Sequence, residues 1–487
     1  MIKTSAVLPS LTLERAGEAH TICALATAPG GALGIIRVSG PKAFDAVQAI
    51  ADKDVNKFSP NSAHFVRLTA KNTQNSKQCS EQPVSMPNQE TLDEAMVTVF
   101  HAPHSYTGED SVEISCHGSR YILNKVLELL VQNGCRMANP GEFTQRAYLN
   151  GKLDLSQAEA VADLIASSNQ ATHQLAMSQL RGSVSSELAL LREQLLHLTS
   201  LLELELDFSD HEDLEFADRT ELNDIANKID SHINRLTHSF ETGQAIKQGI
   251  PVAIVGKTNV GKSTLLNRLL KDDRAIVSDV HGTTRDTIED TIDIQGVTFR
   301  FIDTAGIRQT TDQVEQIGIE RTFAALHIAR IALWLIDTLP TEKELQEIIE
   351  LTKDKSLIII QNKIDKDTTL SIPLSIFRNL HNYSFIQISA KQGTNLQQLE
   401  QAIYDAADIP TLTDTDVIIT NARHYDALVR ARHSLSRVLD GLHTGLSGDL
   451  LSEDLRDVLN ILSEITGGQI TTPEVLGNIF KHFCVGK

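Results

Sequence analysis

No apolar run in this 487-residue chain approaches the roughly 18 residues a membrane-spanning helix needs, and the longest clear one, IALWLI at 331–336, reads as a strand. The N-terminal stretch has no apolar signal core and carries Glu14 and Glu18, so neither export nor organelle import is expected, and the cytoplasm is the default. Cysteine is scarce: Cys23, Cys79, Cys116, Cys135 and Cys484 are odd in number and show no CxxC spacing, which indicates neither a disulfide framework nor a zinc site. Positive charge is short as well, with 44 Lys and Arg against 63 Asp and Glu and a net charge of −19. That balance argues against a large stand-alone nucleic-acid surface, which needs clustered cations, so nucleic-acid work would want a basic partner. Proline is missing from the whole stretch between Pro140 and Pro251, and again between Pro410 and Pro473.

What is present is the composition of a soluble globular protein, 41% hydrophobic and 22% charged, long enough for about three domains. Residues 21–140 mix β-like runs (TICALAT, ALGIIRVS, EAMVTVF, SVEISC) with helical stretches such as RYILNKVLELLVQNG, the pattern of an α+β domain. Within it, residues 70–90 are polar and aperiodic and read as a solvated loop. The two proline-free stretches, rich in Leu, Ala, Glu and Gln at helical spacing, read as sets of long helices. They flank an α/β segment. The economical division is an N-terminal α+β domain over 1–140, a helical domain in two parts over 141–246 and 411–487, and a domain inserted between them over 247–410. Two separate helical domains are the alternative. The run LLELELDFSDHEDLEFAD at 201–218 has eight acidic residues and no Lys or Arg; it is either a solvated helix end or a docking surface for a basic partner.

The inserted segment carries, in order, GKTNVGKS at 256–263, GTTRD at 282–286, DTAG at 303–306, NKID at 362–365 and SAK at 389–391. The first follows IPVAIV, a buried parallel strand, and precedes TLLNRLL, which has helical spacing; that is the context a P-loop requires. Its backbone N–H groups, at Asn259, Val260, Gly261, Lys262, Ser263 and Thr264, would cradle phosphates at a helix N-terminus. Lys262 would reach the β- and γ-phosphates and Ser263 would ligate Mg²⁺. DTAG follows the strand TFRFI, so Asp303 stands near the Mg²⁺, and Thr304, Ala305 and Gly306 lie where a γ-phosphate is sensed. In NKID, Asn362 and Lys363 precede Asp365, which can accept two hydrogen bonds from guanine N1–H and its amino group, a donor pair adenine lacks. Ser389 and Ala390 would close over the base. The domain therefore reads as a Ras-like α/β P-loop GTPase.

Ras-like enzymes carry a Gln after DxxG to orient the attacking water; here Ile307 stands in that place, and no arginine finger is evident. Asn259, inside the P-loop, can offer its side-chain oxygen to a monovalent cation, and the carbonyls of SDVHGTTRD at 278–286 can wrap the same ion. With these oddities, the run DTAGIRQTTDQVEQIGIER and the C-terminal FCVGK, the chain resembles the MnmE/TrmE family of tRNA-modification GTPases over nearly its whole length. The resemblance excepts the first twenty or so residues and the 70–90 loop.

By that resemblance, Asn259, Ser278, Val280 and Thr283 would coordinate K⁺, Thr284 with Ser263 would hold Mg²⁺, and Glu315 would orient the hydrolytic water. Lys262, Arg285, Glu315 and Cys484 are the catalytic candidates. In the N-terminal, folate-binding-like domain, Arg37 (GIIR), Glu113 (SVEISCHG), Lys152 (NGKLDL) and the terminal Lys487 fall at the family's positions for 5-formyl- or 5,10-methylenetetrahydrofolate. A carboxylate suits the paired donors of a pterin, and Arg and Lys suit glutamyl carboxylates. Read without the family, each is an ordinary surface charge. The terminal Cys484 with three residues after it fits a prenylation tail poorly, because Val-Gly-Lys is a poor a-a-X sequence. The family implies a homodimer that joins MnmG (GidA), an FAD- and NADH-using protein, in a heterotetramer acting on tRNA. Together they would add an aminomethyl or carboxymethylaminomethyl group at C5 of the wobble uridine. The rival is a regulatory GTPase of the ribosome-assembly type, but after Pro410 ten Asp and Glu outnumber seven Lys and Arg and no basic GxxG clamp appears.

Overall fold

The computed structural model describes residues 20–70, 90–207, 219–273, 290–302, 325–366, 383–409, 417–468, 473–481 and 483–486. The chain divides into two compact units: Met1–Ile165 with Leu180–Ser185 and Leu459–Lys487, and Ala166–Gln179 with Ser186–Val458.

The first unit is built on a six-stranded sheet of β1 (Ile22–Leu25), β2 (Leu33–Ser39), β3 (Ala63–Ala70), β4 (Glu90–Phe100), β5 (Ser111–His117) and β6 (Arg136–Met137). Their order is β3-β4-β5-β2-β1-β6, antiparallel except where β6 joins β1. Alternation along each strand sends Ile36, Val38, Val66, Val97 and Ile114 to one face. There they are covered by α1 (Ala43–Gln48) and by Leu123, Val126 and Leu130 of α2 (Arg120–Gln132). The same period of two turns Arg37 and Glu113, which are register partners on β2 and β5, to the other face. α3 (Glu142–Leu149) and α4 (Leu155–Ala166) follow, and α13 (Pro473–Phe480) from the C-terminal end packs on them, with Leu476 and Phe480 buried against Leu155 and Ala158.

In the second unit the sheet order is β12-β11-β10-β7-β9-β8, for β7 (Ile250–Gly256), β8 (Asp290–Ile294), β9 (Val297–Phe301), β10 (Ile331–Ile336), β11 (Ser356–Gln361) and β12 (Tyr383–Gln387). All neighbours are parallel except the β8–β9 hairpin. IPVAIV, IALWLI and SLIII are central strands, apolar on both faces because helices cover both. α8 (Lys262–Asp273) and α10 (Leu396–Ala406) lie on one face, and α9 (Glu342–Leu351) on the other. This is the doubly wound GTPase-type sheet expected, with β8 and its turn an addition the sequence pattern did not mark.

Helices from both sides of that domain form one body. α7 (Arg219–Gln248) and α11 (Ala422–Thr444) pack along each other, with Phe240 stacked on Tyr425 at 4.4 Å and Arg432 paired with Asp230 at 2.9 Å. The α/β domain is thus inserted into a single helical domain. α5 (Gln170–Leu180), α6 (Ser183–Asp207) and α12 (Gly448–Thr466) complete the helices, and among the described residues none is long and apolar enough to cross a membrane. The polar 71–89 stretch and most of the acidic run, 208–218, lie outside the described residues.

Candidate functional site

The carboxyl ends of β7, β10, β11 and β12 point to one edge of the inserted sheet, where ligands bind in open α/β folds. β7 ends in Gly256 at φ 149°, and a Cβ there would stand 2.4 Å from the Leu335 carbonyl of neighbouring β10, so only glycine fits. The loop then turns through Asn259 at φ 60° into α8. Lys262 opens that helix, and its ammonium donates to the carbonyls of Gly256 (2.5 Å) and Lys257 (2.9 Å). Burial lowers its pKa. A phosphate would supply the negative partner that these neutral carbonyls do not. Ser263 lies in the first helical turn and Val260 is buried.

The NKID segment ties this loop to the base site. Asn362 donates from Nδ2 to the Val260 carbonyl (2.8 Å) and accepts at Oδ1 from the Ala390 N–H (3.0 Å), so one buried amide clamps the P-loop to the SAK segment. Lys363, at φ 68°, donates to the Asn259 carbonyl (2.7 Å) and to Asp337 at the end of β10 (2.6 Å). Asp365 accepts from the Ser389 hydroxyl (2.6 Å), and chiefly for that reason its carboxyl is held below the ordinary value. It stays an ionised acceptor of hydrogen bonds. Asp337, and Glu344 in the first turn of α9, which pairs with the P-loop's Lys257 at 2.8 Å, are contributors that no motif announced. Ser278, Val280, Thr283, Thr284, Arg285, Asp303, Thr304, Ala305, Gly306, Ile307 and Glu315 lie outside the described residues.

One N-terminal candidate, Arg37, meets the C-terminal segment. Arg37 donates to Glu113 Oε1 from Nε (3.0 Å) and Nη2 (2.8 Å), and from Nη1 to the Gly486 carbonyl (3.4 Å). Its guanidinium lies over the rings of Tyr106 (5.2 Å) and Phe143 (5.7 Å). Gly486 has φ 94°, and a Cβ on it would come within 2.3 Å of the Leu25 carbonyl; the tail is seated in a slot cut for glycine. Cys484 accepts through its carbonyl from Gly141 N–H (3.3 Å), and its side chain is exposed. Lys152 donates to the Pro103 carbonyl (3.1 Å), at the start of the loop that carries Tyr106, and is not bonded to Arg37 or Glu113. Lys487 lies outside the described residues.

Beside this site runs an ion network that no sequence signal marked. Arg146 pairs with Glu109 (3.0 Å) and Glu142 (3.4 Å), and Glu142 pairs with Arg136 (2.5 Å). Glu142 and Arg146 are only 8% and 9% exposed. Burial pushes the Glu142 carboxyl up, but the bonds from Arg136 and the Asn139 N–H outweigh it, and the net shift is downward. Glu109 also accepts from Ser39 (2.9 Å), and Tyr106 shares a hydrogen bond with Thr144 (2.8 Å), so α3 braces the loop facing Arg37.

A family model for the MnmE helical domain matches residues 155–484, and one for the GTP-binding protein TrmE N-terminus matches residues 21–152. The tRNA modification GTPase MnmE of Phocaeicola vulgatus is 53% identical over 494 residues, covering 96% of this chain and 99% of that protein. Those of Bacteroides thetaiotaomicron and Flavobacterium johnsoniae are 52% and 48% identical, each again covering 96% of this chain and 99% of theirs. Among solved structures, the G domain of the T. maritima FeoB iron transporter aligns with 33% of this chain and 99% of its own at 24% identity, with a TM-score of 0.24, too slight a likeness to argue from.

Proposed function

The chain belongs to the MnmE family of tRNA modification GTPases, and from that membership we propose that it hydrolyses GTP to drive modification of the tRNA wobble uridine. The observation that carries the GTPase part is the clamp of Asn362 between Val260 and Ala390, which holds the phosphate loop and the base-reading Asp365 in one rigid frame. Lys262 binds the β- and γ-phosphates in place of the loop carbonyls it now touches, and Asp365 selects guanine. Ser263 with Thr284 would hold Mg²⁺, and the hard oxygen donors suit it. Asn259 would hold K⁺ with Ser278, Val280 and Thr283. Its main-chain carbonyl accepts from Lys363, and its side-chain oxygen would be the ligand. These ions would supply positive charge where the transferring phosphoryl group develops negative charge. Glu315 orients the attacking water, a task Ile307 cannot do.

In the N-terminal unit, Glu113 keeps Oε2 for a pterin donor while Oε1 receives Arg37, and the tail from Cys484 to Gly486 forms a wall of the same site. The family's 5-formyl- or 5,10-methylenetetrahydrofolate would supply the one-carbon unit, bound by Arg37, Glu113, Lys152 and Lys487. The sheet face bearing Arg37 also exposes Leu33, Phe65 and Met96, which suits the homodimer. MnmG, carrying FAD, would bring the basic tRNA surface that a net charge of −19 does not. The functional domains would follow the bounds 1–140, 141–246, 247–410 and 411–487, working in the cytoplasm.

The deciding experiment is nucleoside analysis of tRNA from cells lacking this chain, in which the C5-modified wobble uridine is expected to disappear. Unchanged wobble uridines would end the proposal. A GTPase assay in K⁺ against Na⁺ tests the cation: equal rates would remove the role given to Asn259.

A further inference from the structure

The β8–β9 hairpin turns on Gln295 and Gly296, with φ of 52° and 78°, between the paired Ile294 and Val297. This is the mirror-image two-residue turn that matches strand twist. β9 pairs in parallel with β7, the strand that ends in the P-loop's Gly256, so the hairpin is fixed to a strand that bears the nucleotide loop. α5 sits on that turn. The Ala171 N–H donates to the Gly296 carbonyl (3.0 Å), and Ala171 and Leu175 share a core with Ile292, Ile294, Val297 and Phe299. Asn169, just ahead of the helix, uses both ends of its amide. Oδ1 accepts from the Thr172 N–H (2.8 Å), capping α5, and Nδ2 donates to Thr298 Oγ1 on β9 (2.7 Å).

The far end of α5 is anchored as firmly. Gln179 Nε2 is shared between the Ile418 carbonyl (3.1 Å) and Thr420 Oγ1 (2.9 Å), on the segment by which the chain returns to the helical body. That segment is locked to α7: Ile419 N–H donates to Ser239 (3.0 Å), Gln244 donates to the Thr420 carbonyl (2.6 Å), and a Cβ at Gly243 would lie 2.3 Å from the Ile419 carbonyl.

We propose that α5 is a strut that carries displacement of the β8–β9 hairpin to α7, with Asn169, Thr298 and Gln179 as positioning residues that couple GTP hydrolysis to the tRNA reaction. The inference rests on the function proposed above and adds the route of coupling. An 11-residue helix spans about 16 Å as a stiff rod, and close-packed contacts pass a shift on rather than absorb it. Packing alone would not need side-chain amide hydrogen bonds at both ends.

Two variants test it in the full-length chain. Thr298→Val keeps a β-branched strand residue of the same shape and removes the acceptor for Asn169. Asn169→Asp keeps the cap and removes the donor. In the nucleotide-free protein, hydrogen exchange at the Ile419 amide is expected to rise about fivefold in either variant, the equivalent of one lost hydrogen bond. With the partner and tRNA present, GTP turnover should stay within about twofold while uridine modification falls about fivefold, since a lost coupling contact leaves the hydrolytic groups in place. An unchanged Ile419 amide, or turnover and modification falling in proportion, overturns the proposal. A wild-type chain that supports no modification would count against the proposed function, while the exchange comparison would still decide the strut.

Discussion

The nucleotide site and the Arg37 site are built by opposite means. The first is made by short contiguous segments at the ends of neighbouring parallel strands, and its clamps, Asn362 on Val260 and Ala390 and Lys363 on Asn259, are bonds to main-chain atoms. The second joins the two ends of the chain, with Arg37 reaching Gly486 across 449 residues of sequence. Main-chain partners make the first site tolerant of neighbouring side chains. The second depends on a few side chains holding one another, and on the segment from Cys484 to Gly486 staying in its slot.

If the two sites are independent in their construction, they should fail separately. Lys262→Ala should have the largest effect, lowering GTP hydrolysis by at least about 100-fold, as removal of a preorganised charge from phosphoryl transfer does. Phosphate release measures it, and folate binding by the same variant should not change. Asp365→Asn comes next. It replaces a paired acceptor by an amide, and weakening of GTP binding by about 50-fold is expected from two charge-assisted hydrogen bonds to guanine, with xanthosine triphosphate bound better than before. Fluorescent nucleotide titration would show it, and equal affinity for both bases would remove Asp365 from base reading.

Gly486→Ala should disturb the other site alone. The added Cβ meets the Leu25 carbonyl, so the tail must lift. Tetrahydrofolate binding, followed by calorimetry, should weaken about tenfold, the cost of one displaced site wall. GTP turnover should hold. A parallel loss of both would mean that the sites are not built independently.

The smallest effect expected on activity, though not on stability, is that of Glu142→Gln, which costs about 1–2 kcal/mol by weakening the bonds from Arg136, which is partly exposed, and from Arg146, which keeps Glu109. Because the folded-state pKa of Glu142 lies below its ordinary value of 4.5, its contribution is complete above that value and is lost as pH falls through the depressed one. The wild-type melting temperature should therefore drop as pH falls below 4.5, and the variant should show a shallower drop. Identical slopes would contradict the assignment.

Much of the inserted domain was legible because its signals are local. IPVAIV before GKTNVGKS reads as strand, loop and helix from β-branched runs and glycine spacing, and NKID and SAK each sit at the end of a similar run. What stayed hidden there was the hairpin: Gln295-Gly296 is a weak turn signal, and DTIDI alternates with polar residues on an edge strand. α5 lay within a stretch read only as a set of long helices, since nothing in QATHQLAMSQL shows that Asn169 before it and Gln179 within it would be spent on another domain. In the N-terminal unit four of the strands were readable as β-like runs, while β3 and β6 were not marked and the pairing of Arg37 with Glu113 is a matter of register. The buried run from Glu109 through Arg146 to Arg136 was not readable, because charge in a sequence implies solvent until neighbours are known.

By itself the sequence marked most of the elements and the contiguous motifs: the central strands from apolar runs, and the phosphate loop from its glycines between strand and helix. Tertiary structure alone decided which distant residues share a site. It brought Gly486 to Arg37, α7 to α11 around an inserted domain, and α5 onto the β8–β9 turn. The physical reason is that backbone geometry is set within a few residues, whereas contacts between remote segments depend on shape complementarity between faces that exist only after the elements have packed.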